Sequence, residues 1–328
     1  MKSIVITSIF PPTEAVKKFS KLTDYKLIVV GDKKSPPDWQ HDNATFLSVK
    51  DQESAGFNLS KVLPYNHYCR KMIGYLYSIQ EGAKIIVDTD DDNIPKDDWR
   101  FPEFDSSFST TPPDKGFMNI YNYFTSENVW PRGLPLNKIT ASAKTIFDGM
   151  QLKDVKVGIW QGLADEDPDV DAIYRLTSNK PVYFKEKQPV VLEKGTLSPF
   201  NTQNTAIREE LFTLMYLPTY VTFRFTDILR GLIAQPIMWL YGYRLGFLNA
   251  TVIQKRNVHD FMKDFESEIP MYQHTEKVIE VTMNSISALD TVENNLFNTY
   301  TSLLAEGIVD KREISTLEAW LQDIGKLS

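Results

Sequence analysis

The segment AKIIVDTDDDNIP, Ala83 to Pro95, carries an apolar strand pattern straight into Asp88, Asp90, Asp91 and Asp92. In a strand, residues i and i+2 face the same way, so Asp88 and Asp90 converge where the strand runs out. Two carboxylates held close repel unless a cation lies between them. Hard oxygen donors of this kind suit Mg²⁺ or Mn²⁺, which commonly bridge one or two carboxylates to substrate phosphates. The pattern points to a metal–diphosphate site at a strand end, against the plainer reading of a solvated acidic turn. An EF-hand loop starting at Asp88 fails, because its sixth and twelfth positions hold Asn93 and Trp99. A Walker B strand has no P-loop to serve, since no G-x-x-x-x-G-K-[ST] is present. A phosphatase-type D-x-D-x-[TV] would want Thr or Val where Asp92 stands.

Positioning such a site needs a sheet, and the sequence predicts one. SIVITSI, YKLIVVGD, ATFLSV and KIIVD read as strands. PPTEAVKKFSKL and PYNHYCRKMIGYLYSIQEGA read as the helices between them, the second stopping at Gly82. Strands alternating with helices predict an α/β fold with a mixed, mainly parallel sheet flanked by helices. Ligands of such sheets bind beyond the carboxyl ends of the strands, where both Asp32 and the aspartate cluster fall. KVGIWQGLADEDPDVDAIYRL predicts strand, polar loop and short helix; LSPFNTQNTAIREELFTLMYLP predicts loop, strand and helix. After residue 262 apolar residues recur at three- and four-residue spacing without strand pattern. The expected division is a catalytic domain over residues 1–262 and a helical C-terminal appendage over 263–328.

The 328 residues carry a formal net charge of -7, 42% apolar residues and one cysteine, Cys69. No broad basic surface is available for nucleic acid. A disulfide framework and a cysteine-rich zinc site are excluded, which fits a reducing compartment. No apolar run is long enough for a transmembrane segment, and MKSIVITSIFPPTE is too short in its apolar part for a secretory signal. A cytoplasmic location is the expectation.

Four segments, LPYNHYCRKMIGYLYSIQEGAKIIVDTDDD, QGLADEDPDVDAIYRL, GTLSPFNTQNT and LPTYVTFRFTDILRGLIAQ, occur in that order. Together they resemble the catalytic domain of the STELLO glycosyltransferase-like proteins. A fainter resemblance, at KGTL and DILRG, runs to the reversibly glycosylated polypeptide/UDP-arabinopyranose mutase family. A strand ending in D-x-D is also the signature of nucleotide-sugar-dependent glycosyltransferases of the GT-A fold. STELLO proteins are Golgi-anchored, and no anchor is evident in this sequence.

The resemblance implies a GT-A fold, a nucleotide-sugar donor and Mn²⁺ or Mg²⁺. UDP is the expected nucleotide because it is the commonest in the fold. Asp90 would be the direct metal ligand, with Asp88 beside it and nearer the ribose. His259 would add a late ligand to metal and diphosphate. Thr7, Ser8 and Asp32 would face the nucleoside. Arg70, ahead of Lys71, would neutralise diphosphate. Gln161 and Gly162 would line the donor sugar. Asp169 or Asp171, and the amides Asn201, Gln203 and Asn204, would meet its hydroxyls. Asp227 would act as general base on the acceptor and so invert configuration. The acceptor would be a glycan, a lipid-linked glycan or a protein. The C-terminal helices could dimerise the chain or dock a partner. A nucleotide-sugar mutase, a metal-dependent phosphohydrolase and a non-catalytic scaffold are the competing readings.

Overall fold

The computed structural model describes residues 1–140, 147–255 and 260–327. Strands β1 (Lys2–Thr7), β2 (Tyr25–Val30), β3 (Ala44–Leu47) and β4 (Ile85–Thr89) pair in parallel in the order β3-β2-β1-β4. The strands that follow are β5 (Asn93–Pro95), β6 (Asp105–Thr110), β7 (Gly116–Phe117), β8 (Gln151–Asp165), β9 (Val190–Leu192), β10 (Thr196–Leu197), β11 (Asn204–Arg208) and β12 (Tyr243–Gln254). The main sheet continues β4-β11-β8-β6-β9-β12-β5, with β8 also pairing β12, and β7 and β10 form a small second sheet. β11 runs antiparallel to both β4 and β8, and parallel pairing returns between β8 and β12. This is a mixed α/β sheet flanked by helices, as the strand–helix alternation predicts.

Both faces of the parallel block are buried. Ile4, Ile6, Leu27 and Val29 enter one apolar cluster, while Val5, Ile28 and Val30 enter the other. That explains the unbroken apolar runs of β1 and β2, since a strand covered on both sides needs no polar face.

Helices α1 (Glu14–Phe19), α2 (Val49–Ser54), α3 (Leu59–Val62), α4 (Lys71–Gln80), α5 (Tyr121–Phe124), α6 (Ala172–Thr177) and α7 (Thr226–Leu240) connect these strands. The helix expected from Pro64 begins instead as a 3₁₀ turn, Tyr68–Arg70, and becomes α-helical at Lys71. α4 lies tightly on the sheet at Gly74, where a Cβ would stand 2.6 Å from methyl groups of Val5 and Val30. The helix expected after β11 is a 3₁₀ segment, Glu209–Met215.

The C-terminal helices are α8 (Phe261–Ser285), α9 (Val292–Ala305) and α10 (Lys311–Leu327). They share a core with the rest of the chain. Met271, Val278, Leu296, Tyr300, Leu317 and Trp320 lie in the same buried cluster as Ile73, Ile228 and Leu232. Buried Glu313 of α10 accepts from the backbone amides of Thr219 and Tyr220 at 2.9 and 2.8 Å and from the Tyr216 hydroxyl. Trp320 Nε1 donates to Thr213 O at 3.0 Å. The boundary drawn at residue 262 therefore separates sequence textures and not cores.

Candidate functional site

β4 ends in the acidic turn. Asp88 and Asp90 converge on one cation, and that cation belongs to the chain. Lys71 Nζ lies 2.9 Å from Asp88 Oδ1 and 2.8 Å from Asp90 Oδ1, and donates to Thr89 O at 2.7 Å. On the other side, Arg230 Nη1 from α7 donates to Asp88 Oδ2 at 3.0 Å. Asp88, Lys71 and Arg230 are all buried. Burial opposes the Lys71 charge, but Asp88 and Asp90 outweigh it and hold its pKa above the ordinary lysine value. Asp90 differs from Asp88, since its side chain keeps 37% of its exposure. Desolvation on the cleft floor and the charge of Asp92 push its pKa up to about 7, against the pull of Lys71.

A cavity of about 230 Å³ opens at the carboxyl ends of β1 and β2, lined by Thr7, Ser8, Asp32, His67, Arg70 and Asp91 among others. Four residues expected to face the nucleotide thus share one cavity. Ser8 Oγ donates to Asp91 Oδ2 at 2.5 Å, and Thr13 Oγ1 to Asp91 O at 2.7 Å, so β1 and the acidic turn are tied together. Asp32 Oδ2 accepts from the His67 amide at 3.1 Å, fixing the segment that leads into α4. Arg70 Nε donates to Gln52 Oε1 at 2.8 Å and its guanidinium stacks 4.6 Å from the Tyr65 ring, while its Nη2 has no hydrogen-bond partner among the described residues. Lys71, one residue on, holds the acidic turn, and Arg70, expected to meet the diphosphate, lines the first cavity.

A second cavity of about 230 Å³ adjoins the first, and Thr7, Tyr68 and Asp91 line both. It gathers Asp90, Asp91, Asp92, Asp169 and Asp227 against Arg132 and Arg224. Arg132 organises it. Its Nε and Nη2 grip Asp169 at 2.8 Å each, and Nη2 also reaches Asp227 Oδ2 at 2.9 Å. Burial works against the Arg132 charge, yet Asp169 and Asp227 raise its pKa well above normal. Asn201 Nδ2 donates to Asp169 Oδ2 at 2.8 Å. Asp227 lies in the first turn of α7, where no side chain caps the helix, so capping is not its task. Arg224 is held from behind by Glu268 of α8, at 3.0 Å from its Nε.

Several expected residues lie elsewhere. Gln161, Gly162 and Asn204 are outside both cavities. Gln161 Oε1 accepts from the Asn201 amide at 3.0 Å and from Thr205 Oγ1 at 2.9 Å, so it shapes the loop without reaching the cleft. Asn204 is buried under Trp99 Nε1, which donates to its Oδ1 at 3.2 Å. Gly162 makes room for it, since a Cβ there would stand 2.3 Å from Asn204 Nδ2. Asp171 caps α6 and accepts from Trp130 Nε1 at 2.8 Å. Asp88 is closed off between Lys71 and Arg230 and presents no oxygen to a bound metal. His259 lies outside the described residues. Arg132 went unpredicted, because its neighbourhood PRGLP has neither helical nor strand periodicity. Lys71 was visible in the sequence but ranked behind Arg70.

Among the described residues no group of three or more His, Cys, Asp and Glu side chains is arranged to hold a metal ion. An Mg²⁺ or Mn²⁺ ion needs fewer protein ligands when diphosphate and water complete its shell. Asp90, with Asp92 close enough to raise its pKa, offers that smaller all-oxygen set. The surplus of carboxylates in the cavity would repel a diphosphate unless a cation were bound. The residues present fit one divalent ion on the outer side of Asp90.

The family model of the STELLO glycosyltransferases matches residues 224–328, from Arg224 through the C-terminal helices. The Arabidopsis thaliana proteins "Probable glycosyltransferase STELLO1" and "Probable glycosyltransferase STELLO2" are 27% and 28% identical to this chain over 98% of its length. The chain spans 44% of the length of these curated relatives. Among solved structures, glucosyl-3-phosphoglycerate synthase from Mycobacterium tuberculosis, in complex with Mn²⁺ and UDP-glucose, aligns at 12% identity and TM-score 0.36. That alignment covers 88% of this chain and 80% of the synthase. Along nearly its whole length, then, this chain is similar to the STELLO glycosyltransferases.

Proposed function

We propose that the double cavity is the site of a metal-dependent glycosyltransferase that moves a sugar from a nucleoside diphosphate to an acceptor hydroxyl. The observation carrying this reading is the continuity of the two cavities through Thr7, Tyr68 and Asp91. A ligand seated at the ends of β1 and β2 passes the acidic turn on its way to Asp227. The nucleoside takes the first cavity, against Thr7, Ser8 and Asp32. The diphosphate crosses the turn, and the sugar lies before Asp169 and Asn201. The expected nucleotide is UDP.

When bound, Mn²⁺ or Mg²⁺ stabilises negative charge on the departing diphosphate. The residues do the rest. Lys71 and Arg230 neutralise Asp88, so the charge that Asp90 offers outward is not compounded by a second one behind it. Arg132 fixes the Asp227 and Asp169 carboxylates in one orientation. Asp227 receives the proton of the attacking hydroxyl, which approaches opposite the leaving diphosphate and inverts configuration.

Product analysis tests the reading. UDP- and GDP-sugars are incubated with the chain and Mn²⁺, with and without acceptor glycans. Donor consumption that needs both metal and acceptor supports it. Rapid donor hydrolysis without acceptor identifies a hydrolase, and an isomerised donor identifies a mutase.

A further inference from the structure

Phe223 is 56% exposed, although it stands at the mouth of a polar cavity and four residues ahead of Asp227. Its exposure does not come from a loose loop. The Arg224 amide donates to Ser267 Oγ at 3.2 Å, and the Phe225 amide to Thr222 O at 2.9 Å, so the backbone is pinned just after the ring. The ring itself is braced edge-on by Tyr68 at 4.8 Å and 70°, with His67 stacked behind Tyr68 at 5.7 Å. Tyr68 lines both cavities, and Phe223 lines the one that holds Asp227.

We infer that Phe223, braced by Tyr68, is the platform on which a sugar ring of the acceptor stacks, which makes the acceptor a carbohydrate. The inference rests on the glycosyltransferase reading and names its second substrate. One face of a pyranose presents C–H groups, which complement the electron-rich face of an aromatic ring. The hydroxyl rim of the same sugar meets other polar side chains that line this cavity, Gln203, Arg224 and Gln254. An acyl chain would need a continuous apolar wall, but Phe223 and Tyr68 are the only sizeable apolar surfaces among the described lining residues of this cavity.

The test uses saturation-transfer NMR on the full chain with UDP and Mn²⁺ present. Cellobiose, maltose, lactose and mannobiose are supplied at millimolar concentration, with sorbitol as an acyclic control. At least one disaccharide is expected to bind the wild type while sorbitol does not. Its Kd rises about tenfold or more in Phe223→Ala and stays within about threefold in Phe223→Trp. The melting temperature of each variant shows that the fold is kept. A wild type that binds UDP but none of the disaccharides overturns the platform and leaves the donor reading standing. So does a Phe223→Ala variant that binds its disaccharide as tightly as the wild type does. A wild type that binds no UDP overturns the donor reading, and the platform with it.

Discussion

The Lys71 ammonium lies 2.9 Å from the Asp88 carboxylate, both groups are fully buried, and the pair removes Asp88 from the surface of the cleft. Breaking a buried ion pair from one side costs about 3–5 kcal/mol, because the remaining charge is left uncompensated. Lys71→Met is expected to destabilise the chain on that scale in a urea titration. A loss near zero would mean that Arg230 alone is enough for Asp88.

The two aspartates of the D-x-D therefore separate by experiment. Asp90→Asn should keep the thermal midpoint close to the wild type and abolish metal-dependent nucleotide binding, since Asp90 alone of the two remains exposed to the cavity. Asp88→Asn should lower the midpoint markedly, because Arg230 loses its 3.0 Å partner in the core. Equal behaviour of the two variants would contradict the assignment.

Asp227→Asn removes the proposed proton acceptor. With donor and acceptor saturating, kcat is expected to fall by about 10²–10⁴. Arg132→Met should cost activity as well, since Asp227 and Asp169 both lose the guanidinium that orients them. Unchanged kcat in Asp227→Asn would assign the base elsewhere or point to a retaining route.

Deleting residues 263–328 should leave an unfolded or aggregating product. Trp320, Tyr300 and Glu313 are buried against the segment around Tyr216, and Glu268 holds Arg224 from behind. Circular dichroism and size exclusion of the truncated chain check this. A folded, monodisperse residue 1–262 fragment would restore the view of the helices as an appendage.

Asp171 gives a pH signature. Burial pushes its carboxyl up to about 6, from an ordinary value near 3.8. The folded state thus binds this proton more tightly than the unfolded state does. The resulting stability is present below about pH 4 and is lost as pH rises through about 6, by roughly 3 kcal/mol at most. The urea midpoint of Asp171→Asn, measured across that window, should vary less with pH than the wild type's.

Much of the fold was legible because the apolar runs of β1, β2 and β4 are covered on both faces and read as strands from their composition. The acidic turn was legible for the same reason, as was the convergence of Asp88 and Asp90. What lay between them was not, because the phase of α4 is set by a 3₁₀ turn that the helical pattern conceals. The cation between the two aspartates is Lys71 at the start of that helix. Gln161 and Asn204 were misplaced for a related reason. Gln161 holds Asn201 and Thr205, Asn204 bonds Trp99 and Thr251, and polarity alone does not say which side of a strand end faces the cleft. Arg132 was invisible because its role rests on contacts with Asp169 and Asp227, 37 and 95 residues away.

In the proposed function Asp90 floors a metal-dependent nucleotide site. Isothermal titration of UDP and GDP, with Mn²⁺ and with EDTA, into the wild type and Asp90→Ala tests it most directly. UDP is expected to bind the wild type only with Mn²⁺ present and not to bind Asp90→Ala. Binding of neither nucleotide by the folded wild type, or binding indifferent to both EDTA and the substitution, would contradict it.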